Sequence, residues 1–245
     1  MTMAAPDELL EAVRTSTAEL VTELEDGNWA DADVRAPSLL PGWSRGHVLT
    51  HIARNADGIA VTLEGALRGE DVPRYPHGMA GRNADIEAGS GRSPEALIED
   101  VRTSAARLNV VFTRVLAAGP PVLTRTADKN TPVQWLGARW REVEIHHVDL
   151  GRGYGPQDWP AAFVAHELPP TADSLAERPG VAPLRLIITA AGSLNGDLVG
   201  RAWSTADGDS PEVAGPDWAV LAWLVGRPST ATAWLTAAPD LPPWR

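Results

Sequence analysis

Between residues 7 and 150 apolar side chains recur every three or four positions in four separate stretches, and that period commits most of this segment to helices packed on one another. The first stretch, 7–26, carries Leu9, Leu10, Val13, Leu20 and Leu24. A proline-rich loop at 36–43 ends it, and Ser44 is a helix-capping residue in front of Val48, Ile52, Ala56, Ile59, Leu63 and Ala66, a run that reaches about Gly69. Ser93-Pro94 opens the third stretch with an N-cap and a proline at the first helical position. Leu97, Val101, Leu108, Phe112 and Val115 form its face, and it should stop near Gly119-Pro120-Pro121. The fourth begins at Thr131-Pro132-Val133-Gln134, which has both the proline and the Thr-x-x-Gln capping box; its face is Val133, Leu136, Trp140, Val143, His147 and Leu150, and Gly151 and Gly153 end it. Two longer connections separate these runs, one of them glycine-rich and holding Arg74, His77 and Arg82. The pattern predicts a four-helix bundle with crossover loops, and no internal repeat or heptad competes with it.

After Gly155 the texture changes. Asp158-Trp159-Pro160 predicts a helix that Pro169-Pro170 interrupts, and segments 183–190 and 197–204 read as strands with a turn at Asn195-Gly196. A short helix over 217–225 should end at Gly226. The expected architecture is therefore α+β in two domains: residues 1–153 a helical bundle, residues 154–245 a small α/β unit. Ten tryptophans are spread over both halves, as core and interface packing requires.

Composition narrows the chemistry. With no cysteine there is neither a disulfide framework nor a thiolate metal cage, so a bound zinc or iron would be held by His, Asp and Glu. Thirty-two acids against 21 bases leave a net charge of −11, and Lys129 is the only lysine; such a surface repels phosphate backbones, which argues against a nucleic-acid partner, while local arginine clusters still suit a small anion. The longest apolar runs, such as Leu186–Ala191, are far shorter than the roughly 20 residues a membrane helix needs. Acids in the first residues do not resemble a signal peptide. The expectation is a cytoplasmic protein with no membrane partner.

Two short segments carry metal-ligand residue types. HVLTH spans 47–51 and REVEIHHVDLG spans 141–151. His47, His51, Arg54, Asn55 and Gly58 make a polar stripe beside an apolar helix face, which would be odd if that flank met water. Glu142 and His146 stand four residues apart, so their side chains project from one face of a helix about 6 Å apart at Cβ. A carboxylate and an imidazole so placed suit one divalent ion, with His51 as a third ligand, and three protein ligands leave a coordination position open, as in catalytic sites. His47 is at the same helical spacing from His51 and rivals the distant pair. Spacing leaves that choice open, and each of these side chains is also compatible with an ordinary solvated or packed role.

The strings PGWSRGHVLTHIARNADG (41–58), GRNADIEAGSGR (81–92) and WREVEIHHVDLGRG (140–153) resemble the signature segments of the mycothiol-dependent maleylpyruvate isomerases. The resemblance covers nearly the whole first domain, with three motifs in order. It implies a DinB-like four-helix bundle with a divalent metal, zinc being the usual one, and a smaller α/β domain behind it. It implies His51, Glu142 and His146 as metal ligands, with His47 and Glu144 in supporting roles and His147 on the packed face. It also implies catalytic roles for Arg82 and, on a thinner match, Arg227. A loop-anchoring salt bridge would equally explain Arg82, and a helix C-terminal cation would explain Arg227.

The activity implied is the cis-to-trans isomerisation of maleylpyruvate to fumarylpyruvate, a step of gentisate degradation, with mycothiol as thiol cofactor and a small-molecule substrate as partner. Transfer of mycothiol to another electrophile is the nearest alternative, and a non-catalytic metal-containing binding module is a third.

Overall fold

The computed structural model describes residues 5–119, 130–206, 208–227 and 231–242. The chain divides into two compact units, Met1–Gly153 and Tyr154–Arg245.

The first unit is a helical bundle of α1 (Pro6–Asp26), α2 (Asp31–Arg35), α3 (Arg45–Leu67), α4 (Gly78–Ser90), α5 (Pro94–Ala117) and α6 (Pro132–Asp149). The four long helices α1, α3, α5 and α6 coincide with the four periodic stretches. Their caps form as their residue types require: Ser44 Oγ accepts from the His47 amide, Ser93 Oγ from Ala96, and Thr131 and Gln134 bond each other's backbone N–H. Leu20, Leu24, Val48, Ile52, Val101 and Val143 meet in one buried cluster at the bundle centre. Each such side chain contributes about 1.5–3 kcal/mol. The end of α5 lies where expected, with Gly119 at φ 70°; Pro120 and Pro121 lie outside the described residues.

Two short-range ties set α3 against α6. Arg45, the first residue of α3, donates from Nε to the Leu150 carbonyl at 2.6 Å, and the Leu39 amide donates to the Asp149 carbonyl at 2.8 Å. The open carbonyls at the end of α6 are thus closed by the loop that starts α3.

The glycine-rich connection is not loop throughout, because residues 78–90 form α4. Its buried residues are Ile86 and Ser90, so it has no apolar stripe to read. Close contact with α3 holds it: a Cβ on Gly46 would lie 2.1 Å from the Ser90 carbonyl oxygen, and one on Gly89 2.6 Å from Thr50 Cγ2. Gly46→Ala should therefore drive α4 from α3 and cost about 1–3 kcal/mol, read as a lower unfolding midpoint. An unchanged midpoint would show that α4 yields freely.

In the second unit α7 (Ala161–Asp173) runs through Pro169-Pro170, contrary to the expected break. Proline's φ is helical, so the pair removes two hydrogen bonds without forcing a turn, and burial of Leu168, Ala172 and Leu175 holds the last turn. The sheet has order β2-β1-β3, with β1 (Arg185–Ile188) antiparallel to β2 (Ala202–Ser204) and parallel to β3 (Glu212–Gly215). Segment 197–204 is strand only at its end, since Gly196–Leu198 forms a 3-10 turn where a tight hairpin was expected. Helix α8 (Asp217–Leu224) packs on α7 and the sheet. Among the described residues no helix is long and apolar enough to cross a membrane.

Candidate metal centre

The polar stripe of α3 faces inward. His51 is 4% exposed, and its Nε2 lies 2.8 Å from Glu142 Oε2 and 2.9 Å from His146 Nε2. His146 Nε2 is 3.3 Å from the same carboxylate oxygen. One ligand atom from each residue thus converges within 4.8 Å of the others. Helical spacing brings Glu142 and His146 together on α6, and the α3–α6 ties bring His51 to them. Trp43 walls the site, its ring 5.6 Å from the His51 ring in an edge-on contact.

His47, the rival ligand, turns elsewhere. Its Nδ1 accepts from the Ser44 amide at 3.2 Å as part of the α3 cap, and its Nε2 reaches Glu87 on α4 at 3.0 Å. His147 Nε2 meets Glu23 of α1 at 2.8 Å, and Glu144 is buried. Arg82 lies on α4 and donates from Nη2 to His51 Nδ1 at 2.8 Å and from Nη1 to Asn83 at 2.9 Å. Among the described residues no carboxylate bridges it, so the loop-anchoring salt bridge is not what holds it. Arg227 belongs to the second unit, where its Nη1 donates to the Val225 carbonyl just past the end of α8, at 2.7 Å.

The supporting residues were not legible beforehand. Asp149, 1% exposed, accepts from His146 Nδ1 at 2.7 Å, which orients the ring and aims the Nε2 lone pair at the trio. Arg139, 1% exposed, donates from Nη1 to the Ile52 carbonyl at 2.9 Å and to Asn55 Oδ1 at 3.0 Å. Both are ordinary helix residues until α3 is laid against α6.

An ionised Glu142 and a neutral His51 suit a cation, while His146 must give up a proton to bind one. Burial pushes the His51 pKa down to about 4 against the pull of Glu142, so the ring is neutral at pH 7. Burial opposes ionisation of Glu142, but hydrogen bonds from His146 and His51 outweigh it and hold the carboxyl well below its usual range. Burial likewise lowers His146, while Asp149 and Glu142 more than compensate and leave it raised. Two imidazole nitrogens and a carboxylate oxygen crowd one point, a donor set that a divalent ion would satisfy once it displaces the proton that the raised pKa favours on His146. One contact stands against it. A guanidinium only donates, so Arg82 claims the lone pair of His51 Nδ1 and leaves the proton on Nε2, where a metal would bind. The Arg82–His51 bond and a metal on Nε2 therefore exclude each other.

Residues 10–151 match the family described as mycothiol maleylpyruvate isomerase N-terminal domain. No curated protein matches the chain by sequence. Among solved structures, the crystal structure of the mycothiol-dependent maleylpyruvate isomerase is 26% identical, with a TM-score of 0.83 over 100% of both chains. A histidine-to-alanine mutant of that enzyme is similar at 25% identity, with the same TM-score and coverage.

Proposed function

Because this chain belongs to the mycothiol maleylpyruvate isomerase family, we propose that it converts maleylpyruvate to fumarylpyruvate with mycothiol as thiol cofactor and zinc as metal. The observation that supports this reading is the convergence of His51, Glu142 and His146 in a chain with no cysteine of its own. Rotation about a carbon–carbon double bond requires that bond to be single for a moment. The thiol sulfur adds to one alkene carbon while the π electrons pass to the conjugated carbonyl oxygen as an enolate. Rotation follows, and collapse of the enolate expels the sulfur and restores the alkene as trans. Thiol is regenerated, and no oxidant or reductant is used.

A free thiol of pKa about 8.5 is only a few per cent ionised at neutral pH, and a divalent ion held by the trio supplies the charge that keeps it ionised. The chain's own groups do the rest. Asp149 bonds His146 Nδ1 and so orients the ring with Nε2 toward the trio. The Trp43 ring packs edge-on against His51 and helps hold that ring in place. A metal on His51 Nε2 requires Arg82 to leave Nδ1, and Arg82 so released would offer a planar donor fork to a substrate carboxylate or to the enolate oxygen; Arg227 is the candidate in the second unit for the same chemistry.

The test follows maleylpyruvate absorbance with zinc-loaded protein, with and without mycothiol, while free thiol is titrated in parallel. Expected is thiol-dependent conversion without net thiol loss. Stoichiometric thiol consumption would mean transfer to the electrophile, and no conversion at all would overturn the isomerase reading. Arg82→Ala should retain zinc and lose turnover by on the order of a hundredfold or more; full activity would remove Arg82 from the chemistry.

A further inference from the structure

We propose that the cavity between α3 and the start of α4, in the first unit, is a carboxylate-binding pocket whose anchor is Arg74. The cavity measures about 170 Å³, and Arg54, Asp57, Arg74, Tyr75, Arg82 and Asp85 help line it. Arg82 is also bonded to His51, so one wall of the pocket is a single side chain away from the trio.

The charges in the wall are not equally engaged. Arg54 is bridged to Asp57 at 2.9 Å and to Asp100 at 2.6 Å, which accounts for that pair. Asp85 is exposed, where solvent and salt screen it. Arg74 has no carboxylate partner among the described residues, and its Nε is buried without a hydrogen bond. Two rings hold it instead: its guanidinium carbon lies 4.9 Å from the Tyr75 ring centroid and 5.4 Å from that of Trp135. Cation–π attraction holds the guanidinium over these rings without using its N–H donors, which keeps the fork available to a planar anion at little cost in ordering. Arg82 stands 5.9 Å from the same Tyr75 ring, so two guanidinium groups share one phenol ring that also lines the cavity.

The backbone is shaped for this placement. A Cβ on Gly58 of α3 would lie 2.7 Å from Arg74 Cγ and 3.0 Å from the Arg74 carbonyl oxygen. Glycine there lets Arg74 and Tyr75 lie directly on α3. The fitting ligand is a small planar acid, and one bearing two carboxylates would engage Arg74 and Arg82 together. This assignment rests on the reading above in one respect, that the substrate is a carboxylated small molecule.

Fumarate is the probe, titrated calorimetrically into zinc-loaded protein without thiol and into metal-free protein. Wild type should bind it saturably, and Arg74→Gln should weaken it by about tenfold or more in both forms, the scale of one charge-assisted hydrogen bond. Arg74→Lys should fall between, since it keeps the charge and loses the fork. Zinc content and unfolding midpoint should not move, which separates binding from a structural role. Equal affinity in wild type and Arg74→Gln, or no saturable binding by wild type, would overturn the pocket. Arg74-dependent fumarate binding without isomerisation would overturn the proposed reaction and leave the pocket standing.

Discussion

Replacing His51 with alanine should strip the protein of zinc and of turnover together. In the proposed site His51 is the ligand from α3, and without it Glu142 and His146 would remain as a two-ligand helix face. Losing a residue that merely orients a ligand typically costs 10–100-fold in metal affinity, so losing the ligand itself should cost more than about a hundredfold. Chelator competition measures that directly. Unfolding gives a second readout: zinc at about 100 times its dissociation constant should stabilise wild type by about 2.7 kcal/mol and leave His51→Ala unmoved. The substitution itself removes a buried neutral ring, so the apo protein should stay folded. Full zinc retention and full activity in His51→Ala would refute the ligand assignment.

The second large effect is expected at Arg139. Burial pulls its pKa down to about 10, with Glu142 and Asp57 pulling the other way, so it remains a cation at pH 7 inside the bundle. Arg139→Leu would leave Asn55 Oδ1 and the Ile52 carbonyl short of a donor and would take away a positive charge near Glu142. Leaving a buried acceptor without its donor costs about 1–3 kcal/mol. Urea unfolding of metal-free protein should show that loss. Excess zinc should recover part of it, because the ion supplies a charge facing Glu142. A cost below about 1 kcal/mol would mean that Arg139 is not needed to neutralise the site.

The amphipathic helices announce themselves because a stripe facing one core recurs with the helix period, and Ser44, Ser93 and Thr131 mark their starts. Helix α4 has no stripe and four glycines between 78 and 91, and it forms because glycines on α3 and α4 let the two backbones approach. Strand β3 is four residues long with two of them buried, too short for its alternation to stand out.

At the metal centre, four-residue spacing on α6 is enough by itself to put Glu142 and His146 side by side, since their geometry is local to one helix. Whether His47 or His51 joins them is not a local question: both lie on α3 one turn apart, and the ties from Arg45 and Leu39 to the end of α6 set which turn faces Glu142. Asp149, Arg139 and Arg74 acquire their roles in the same way, through partners on other elements or on rings distant in the chain. Periodicity, caps and one-helix spacings are properties of consecutive residues, so the chain alone determined the bundle's four long helices and placed two of the three candidate ligands together. The candidate third ligand, the buried cation and the proposed carboxylate pocket depend on distances between segments, and those distances exist only once the helices are packed.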